Sequence, residues 1–369
     1  MFERPSLLLI IAQSGRMLAQ SAAREGYRVR VADCFGDVDT LDVADRFIKL
    51  PPMDKTSHSE WLNVIISLSQ DQPCSLICGT GIEQFYPALM SLPSHIHFAG
   101  SSLTSIQQVC EPINWIALLE RLSLPFPPTR LHLPSSFKEK WLAKKRASWG
   151  GHHIVNARAV TETTDLYYQQ YIAGRCASVL FLAHNRNAHV LLINQQFNVD
   201  AELDKFGLQA IASGMVLSDE QQNNIYLALQ KLTQHLDLAG LMSLDFLITP
   251  SGDIFLLELN PRPTASCQLL PSSFPIIGWQ LMCSTGGMPQ LNTELPFEKQ
   301  LLWFCFAPKK ITIPANFDWP EYCYDIPATG SIINRGEIIC SLLLEQKNDP
   351  IVDGHLIANK LIENLSIPA

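Results

Sequence analysis

The stretch "MSLDFLITPSGDIFLLELNPRP" at residues 242–263 contains two runs in which apolar and polar side chains alternate. Asp245 lies on the polar face of the first run, and Glu258 and Asn260 lie on the polar face of the second. Because successive side chains of a strand point to opposite faces, the pattern predicts two strands joined by a hairpin. The apolar residues expected to face the core are Met242, Leu244, Phe246, Ile248, Phe255, Leu257 and Leu259.

The register of this hairpin decides whether its two acids meet. A four-residue loop at 250–253 places Asp245 directly opposite Glu258, whereas a five-residue loop would place it against Leu257. Register follows the buried face, so we expect the four-residue loop. Directly opposed residues have Cβ atoms about 4.5–5.5 Å apart.

Two carboxylates at that separation repel each other unless a cation lies between them. Asn260, one pleat further along, adds a third oxygen ligand, and Mg²⁺ prefers such hard oxygens together with substrate phosphates. Mn²⁺ could take its place. Arg262, between two prolines, would add a fixed positive charge. A solvated polar hairpin end is the alternative, but Leu247, Ile254 and Leu256 make this face too apolar for it. We therefore predict that Asp245, Glu258 and Asn260 bind the metal.

The composition describes a globular protein of several domains. The chain has 369 residues, of which 47% are hydrophobic and 17% charged, and its net charge of −8 argues against nucleic-acid or anionic-membrane partners. Its ten cysteines show no paired CxxC spacing, which predicts reduced thiols and a cytoplasmic location. No stretch reaches the roughly 20 apolar residues of a membrane helix, so we expect a soluble protein.

The first 100 residues repeat the order strand, helix, strand. Residues 6–12, 27–33 and 74–79 predict buried strands, and this order predicts an open α/β sheet. Functional loops of such sheets lie beyond the carboxyl ends of the strands, which singles out residues 14–16, Asp33 and residues 79–83. The first turn lacks the later glycines of a dinucleotide-binding fingerprint, and ordinary turns are an equal alternative for all three loops.

The helices and strands of the later segments also have boundaries that the sequence predicts. We predict a helix at 112–122, a proline-rich connection at 123–136, and a strand, glycine-containing loop and strand at 141–155. Two strands follow within 167–183. Ser218 and Gln221 form a capping box for a helix that we expect to end at Gly240. Short strands and a helix near 354–365 predict a small C-terminal α+β appendage.

Residues 242–263, together with "WLAKKRASWGGHHI" (141–154) and "QQYIAGR" (169–175), resemble the ATP-grasp superfamily. The chain looks closest to its branch of ATP-dependent carboligases similar to biotin carboxylase. The resemblance implies that Mg-ATP is the cofactor and that the three predicted metal ligands hold its Mg²⁺ ions. The further residues that it implies in nucleotide binding are Lys144 at the α/β-phosphates, Gly150 and Gly151 in the phosphate-covering loop, and Gln169, Gln170 and Ile172 in the adenine-binding segment.

The resemblance also implies a multi-domain ATP-grasp architecture, an α/β front domain followed by α+β ATP-grasp domains. The expected segments are a pre-ATP-grasp domain at 1–100, a helix and proline-rich connection at 101–138, a nucleotide-covering subdomain at 139–190, a metal and catalytic subdomain at 191–295, and the appendage at 296–369.

Three positions depart from the family pattern. Cys110-Glu111-Pro112 stands where many members carry a lysine, and Cys176 stands near their ribose-binding acid. Ala147-Ser148-Trp149 replaces glycines of the phosphate loop. All three changes lie at the nucleotide end of the site, while the metal end keeps the family pattern.

The function that the resemblance implies is a carboxylate–amine ligase that forms an acyl phosphate, with Arg262 and Lys144 as catalytic cations. Its partners would be a small-molecule carboxylate and an amine, and some relatives suggest an amide of a one-carbon cofactor. We expect the acceptor site between the front domain and the hairpin, where Arg16 or Arg262 would pair with an acidic substrate. Two alternatives stay open, a non-catalytic nucleotide- or ligand-binding module and a nicotinamide oxidoreductase. A homo-oligomer is also open.

Overall fold

The computed structural model describes residues 4–134, 138–161, 163–200, 205–287, 289–291, 298–347 and 349–365. Its front part is a parallel sheet of five strands with the order β3-β2-β1-β4-β5. The elements are β1 (Leu8–Ile11), α1 (Arg16–Arg24), β2 (Val29–Asp33), α2 (Val38–Leu41), β3 (Arg46–Lys49), α3 (His58–Ser69), β4 (Cys74–Cys78), α4 (Ile82–Phe85), β5 (Ile96–Phe98), α5 (Leu103–Cys110) and α6 (Pro112–Arg121).

The predicted open α/β sheet is confirmed, and its connections explain why its central strand β1 is wholly apolar. Helix α1 packs on one face of the sheet and α3 on the other, so both faces of β1 are buried. The chain winds outward from β1 through β2 and then crosses to β4 on the other side. A crevice therefore opens at the carboxyl ends of β1 and β4, where such sheets bind ligands.

A small antiparallel sheet follows the front part. Its strands are β6 (Thr129–Arg130), β7 (Trp141–Lys145), β8 (Val155–Asn156) and β9 (Leu166–Gln170), in the order β6-β9-β7-β8. Strand β7 carries Lys144, and the loop between β7 and β8 contains Gly150 and Gly151. The predicted strand, loop and strand at 141–155 are therefore confirmed.

The remaining chain builds a sheet of eight strands with the order β14-β13-β10-β11-β12-β15-β19-β17. The elements are β10 (Arg175–His184), β11 (Asn187–Asp200), β12 (Lys205–Ser213), α7 (Asp219–His235), β13 (Gly240–Ile248), β14 (Ile254–Asn260), α8 (Ile276–Ser284), β15 (Gln300–Phe306), β16 (Ile311–Thr312), β17 (Cys323–Tyr324), β18 (Ile332–Ile333), β19 (Ile338–Glu345) and α9 (Pro350–Leu365).

Two features of this part differ from the predictions. Helix α7 begins with the predicted capping box of Ser218 and Gln221 but ends at His235. Gly240 instead begins β13 with a φ of +98°. In the last segment, β15, β19 and β17 continue the eight-stranded sheet, so this segment shares a sheet with β13 and β14. The five segment boundaries stay predictions.

The hairpin of β13 and β14 pairs Asp245 with Glu258, as predicted, but with a different loop length and a β-bulge. Its loop is one residue longer than predicted, because Ile248 pairs with Ile254 and residues 249–253 form the loop. A β-bulge at Leu257 then adds one residue before Glu258 and restores the pairing of the two acids. Trp115 Nε1 donates a hydrogen bond of 3.1 Å to the Leu257 carbonyl oxygen and so holds the bulge.

The bulge also changes which side chains of β14 face the core. Ile254, Leu256 and Leu259 are buried in the main core cluster, whereas Phe255 and Leu257 are partly exposed. The predicted core positions of Phe255 and Leu257 are therefore wrong. On β13 the four apolar residues predicted to face the core, Met242, Leu244, Phe246 and Ile248, are all buried there.

Within the described residues, no helix is long and apolar enough to cross a membrane. All ten cysteines are free thiols. Cys74 and Cys78, which could have been part of a metal site, are buried in the core beside β1.

Candidate active site

The predicted metal ligands come together at the paired ends of β13 and β14. The Asn260 amide nitrogen lies 3.4 Å from Asp245 Oδ2 and also 3.4 Å from Ser243 Oγ. Asp245 Oδ1 is buried and has no hydrogen-bond partner among the described residues. Glu258, directly opposite Asp245, is exposed at the mouth of the cleft.

This arrangement fits a divalent cation. Burial, followed by the charge of Glu258, raises the pKa of the Asp245 carboxyl to about 7. A buried carboxylate oxygen without a donor, facing a second carboxylate, is the environment that a hard cation stabilises. Asn260 Oδ1 accepts a hydrogen bond of 3.1 Å from Arg262 Nη2, so metal coordination by this oxygen requires the amide to turn over.

We expect the metal site to bind Mn²⁺ about tenfold more tightly at pH 8 than at pH 6 in the absence of nucleotide. The raised pKa of Asp245 means that a proton competes with the metal below pH 7, so affinity falls as the pH falls. Electron paramagnetic resonance of free Mn²⁺ measures this directly. The Asp245→Asn variant, which cannot titrate there, should lose this pH dependence. An equal affinity of the native protein at both pH values would contradict the assignment.

Arg262 lies in the site but is already paired. Its Nε donates to Glu83 Oε1 at 2.5 Å, and the side chains of both residues are buried. Glu83 Oε2 accepts a hydrogen bond of 2.9 Å from the Gly81 amide in the loop after β4. The front domain therefore holds the guanidinium at the end of the metal hairpin. The sequence singles out the loop at 79–83, with an ordinary turn as an equal alternative, but does not identify Glu83 as the partner of Arg262.

Lys144 reaches the same site from the small sheet. Burial lowers the pKa of its ammonium group, and the charges of Glu258, Cys176 and Asp245 act in the opposite direction. Tyr167 of β9 pairs with Lys144 of β7 and also faces Glu258. Burial, together with the negative charge of Glu258, raises the pKa of the Tyr167 phenol. Lys144 therefore lies close to both acids of the β13–β14 hairpin.

The loop at 146–152 covers the site and contacts two other parts of the fold. Gly150 O accepts a hydrogen bond of 3.0 Å from Leu208 N in β12. Trp149 Nε1 donates to Gln13 Oε1 beyond β1. Gly151 has a φ of +75°, and a Cβ atom there would lie 2.1 Å from the Phe206 carbonyl oxygen. This glycine is therefore needed for the close approach of the loop to β12.

Gly151→Ala should open the loop, while Gly150→Ala is the matched control. Both residues have positive φ, but a Cβ at Gly150 would meet only the His152 side chain at 3.8 Å. Backbone strain of about 1 kcal/mol affects both variants, and only Gly151→Ala also pushes against a backbone oxygen. We expect its affinity for ATP to fall about tenfold more than that of Gly150→Ala in a calorimetric titration. Equal losses would show that the loop contact with β12 does not matter for binding.

The cleft beside these residues opens to solvent. Gln169 lies in its lining, and its side chain donates a hydrogen bond of 3.1 Å to Thr129 Oγ1. Gln170 and Ile172 are not among its lining residues. Cys110, at the position of the missing family lysine, does line it. Cys176 lies near the Lys144 ammonium.

The charged side chains singled out in the front loops are hydrogen-bonded within the fold. Asp33 Oδ1 accepts hydrogen bonds from Phe35 N and Gly36 N, and its Oδ2 accepts one from Gly15 N. Its carboxylate is thus hydrogen-bonded within its own and the neighbouring loop. Arg16 is 3% exposed and paired with Asp325, so neither Arg16 nor Arg262 is free for an acidic substrate.

Residues 113–266 match the family model described as an ATP-grasp domain. This range contains Lys144, the glycine loop and the metal hairpin. No curated protein matches the chain.

Solved structures extend the likeness to nearly the whole chain. The biotin carboxylase domain of 2-oxoglutarate carboxylase from Hydrogenobacter thermophilus, in complex with MgADP, is 14% identical with a TM-score of 0.71, and the match covers 93% of this chain and 87% of that one. N5-carboxyaminoimidazole synthetase from Staphylococcus aureus with ADP is 14% identical with a TM-score of 0.68, over 98% and 97%. L-amino acid ligase from Bacillus licheniformis is 14% identical with a TM-score of 0.69, over 98% of both chains. The fold predicted from the sequence is therefore confirmed.

Proposed function

We propose that this chain, which carries an ATP-grasp domain within an ATP-grasp fold, is an ATP-dependent ligase that joins a carboxylate to an amine. The observation that carries the proposal is the direct pairing of Asp245 with Glu258 beside two buried cations, Lys144 and Arg262. Two acids and two fixed cations around one point suit the transfer of a phosphoryl group, in which charge must be balanced on both sides.

Each side chain has a distinct part in this proposal. Asp245 and Glu258 would hold Mg²⁺, with Asn260 as a third ligand once its amide turns over. Bound there, Mg-ATP supplies a γ-phosphoryl group that converts a poor electrophile, the carboxylate, into an acyl phosphate. Lys144 and Arg262 neutralise the negative charge that collects around the carboxylate oxygen during this transfer. The amine then attacks the acyl carbon and phosphate leaves, so no side-chain nucleophile is needed.

Water must be excluded, because an acyl phosphate hydrolyses. The loop at 146–152 contacts both β12 and Gln13 and so closes the nucleotide side against the front domain. The named neighbours, a carboxylase domain with MgADP, a synthetase with ADP and an amino acid ligase, support both the cofactor and the reaction class. The finer suggestion, an amide of a one-carbon cofactor, rests on the sequence resemblance alone. The free thiols support a reducing, cytoplasmic location.

The transfer of ¹⁸O from the carboxylate to the released phosphate tests the mechanism. Purified protein is screened with Mg-ATP over carboxylate and amine pairs, and any pair that yields ADP is repeated with ¹⁸O in the carboxylate. An acyl phosphate requires that one ¹⁸O per turnover appear in the released phosphate, because the carboxylate oxygen is transferred with it. Product formation with unlabelled phosphate would overturn the mechanism.

A non-catalytic nucleotide- or ligand-binding module is the second candidate, favoured by Cys110 and Cys176 at two family positions for nucleotide contacts. Calorimetry separates the two functions. Tight Mg-ATP binding without ADP release for any pair in the screen would favour the binding module.

A further inference from the structure

Strand β14 lies at one edge of the eight-stranded sheet, so part of its backbone faces away from the other strands. Two of these outer backbone groups are hydrogen-bonded by α6 and by the connection that follows it at 122–128. Leu256 N donates a hydrogen bond of 2.8 Å to the Pro125 carbonyl oxygen, and the Leu257 carbonyl oxygen accepts one of 3.1 Å from Trp115 Nε1. The helix and the connection therefore cover the outer edge of the hairpin that carries Asp245 and Glu258.

These two hydrogen bonds form together only on a bulged strand. In a regular strand the N–H and C=O of one residue point to the same edge, and those of the next residue point to the opposite edge. Leu256 N and Leu257 O belong to consecutive residues, yet both point outward. The bulge at Leu257 makes this possible. The contacts from α6 and the connection therefore favour the bulged form of β14 over a regular strand.

The bulge decides where the Glu258 side chain points. If the ladder continued from the loop without a bulge, Leu257 would lie opposite Asp245, and Glu258 would lie opposite Leu244, which is buried in the main core cluster. With the bulge, Glu258 lies opposite Asp245 and lines the cleft. The pairing of the two acids thus depends on the extra residue.

The groups that hold the bulge are themselves fixed by the core. The Trp115 side chain is 7% exposed and packs in the main core cluster. Leu124 N in the connection donates a hydrogen bond of 2.9 Å to Leu119 O in α6. Lys231 Nζ, from α7, donates one of 2.8 Å to Leu122 O. The bulge is therefore held by elements outside the hairpin.

We propose that Trp115 is a positioning residue for the metal site, because its indole N–H holds the bulge that turns Glu258 toward Asp245. The inference rests on the proposed function for the identity of these two metal ligands. In this role Trp115 acts through the Leu257 backbone and makes no contact with the metal. Removal of its N–H should therefore weaken metal binding although both carboxylates are still present.

Titration of the full chain with Mn²⁺, followed by electron paramagnetic resonance of the free ion, tests this role. Trp115 also lines the cleft, so the titration is made without nucleotide, and its ring then contacts no bound ligand. Trp115→Phe keeps an aromatic ring and removes the donor. Trp61→Phe is the matched control, because Trp61 is also buried and its Nε1 has no hydrogen-bond partner among the described residues.

We expect Trp115→Phe to bind Mn²⁺ about tenfold more weakly than the native chain, which is the effect of one lost hydrogen bond on an equilibrium. Trp61→Phe should bind Mn²⁺ as the native chain does. Native affinity in Trp115→Phe would overturn the proposal. An equal loss in both tryptophan variants would also overturn it, because the effect would then not depend on the hydrogen bond to Leu257.

Deletion of Leu257 separates the register of β14 from its stability. Without this residue, an unbroken ladder places Glu258 opposite Asp245, and no bulge has to be held. Trp115→Phe combined with the deletion should therefore regain most of the lost Mn²⁺ affinity. If this chain is folded by circular dichroism but does not regain affinity, Trp115 supports the fold in general and does not position Glu258.

A disulfide trap measures the pairing itself and needs no metal. Directly paired residues have Cα atoms about 4.5–5.5 Å apart, which is within the range that a disulfide spans. In Asp245→Cys with Glu258→Cys, mild oxidation should join positions 245 and 258, and peptide mass spectrometry identifies the bond. We expect a lower yield when Trp115→Phe is added, and an equal yield would overturn the proposal.

The proposed ligase function and this positioning role fail separately. The ¹⁸O experiment can fail while Trp115→Phe still weakens Mn²⁺ binding and lowers the yield of the disulfide. Product with ¹⁸O in the released phosphate, together with native Mn²⁺ affinity in Trp115→Phe, would overturn the positioning role alone. A native chain that binds no Mn²⁺ would overturn both the metal site and the role of Trp115 in it.

Discussion

Asp245→Asn and Glu258→Gln should each lower Mg²⁺-dependent ADP formation by about a thousandfold or more. Each variant removes one of the two charges that face each other across β13 and β14. The loss of a metal ligand removes several kcal/mol of charge stabilisation from the transition state, which corresponds to about three powers of ten in rate. Initial rates of ADP release with the reactive substrate pair measure the effect.

A variant that unfolds would also lose ADP formation. The charges of the site predict the stability of each variant, which distinguishes unfolding from the loss of a metal ligand. The pKa of Asp245 is raised in the folded state, so its contribution to stability is full below the unfolded value of about 4 and is lost as the pH rises through about 7. Without metal, Asp245→Asn should therefore be at least as stable as the native chain at pH 8. Asp253→Asn, which removes an exposed acid from the loop of the same hairpin, should keep native activity. Native turnover in either ligand variant would end the assignment of the metal site.

The sequence alone predicted the strands in which apolar and polar residues alternate without interruption. The alternation of β13 places four apolar residues in the core and Asp245 on the other face, because every residue of this strand follows the pleat. The short strands β3 and β5, of four and three residues, escaped prediction because such lengths carry too little periodicity. Their partners in the parallel sheet, and not their own residues, define them.

The bulge at Leu257 could not be read from the sequence. Leu256 and Leu257 are identical residues, and nothing local says which of them leaves the ladder. The choice is made by tertiary contacts, among them the hydrogen bond from Trp115, 142 residues earlier in the chain. The acids met as predicted because a longer loop and a bulge shift the register in opposite directions.

The ion-pair partners of the two arginines could not be predicted from the sequence either. From the sequence alone, an acidic substrate is expected to pair with Arg16 or Arg262. Their partners, Asp325 and Glu83, lie 309 and 179 residues away, so only the fold reveals that both cations are already ion-paired. The ion pair with Glu83 therefore fixes the position of the Arg262 guanidinium beside the hairpin.

Glu83→Gln should both destabilise the protein and lower its activity, because it leaves the Arg262 guanidinium buried without an opposite charge. Arg262 is 6% exposed, and its other described acceptors are Asn260 Oδ1 and Pro263 O, both neutral. Breaking one side of a buried ion pair costs about 3–5 kcal/mol. We expect a loss of this size in urea denaturation.

A double variant separates the positioning of Arg262 from stability. In Glu83→Gln with Arg262→Met, no buried charge remains unpaired, and a neutral replacement of a buried ion pair is often as stable as the pair itself. We expect this variant to recover most of the lost stability but none of the ADP-forming activity, because the cation itself is gone. If Glu83→Gln is as stable as the native chain, the contact between the front domain and the hairpin does not hold Arg262. If the double variant recovers activity together with stability, Arg262 serves the fold and not the reaction.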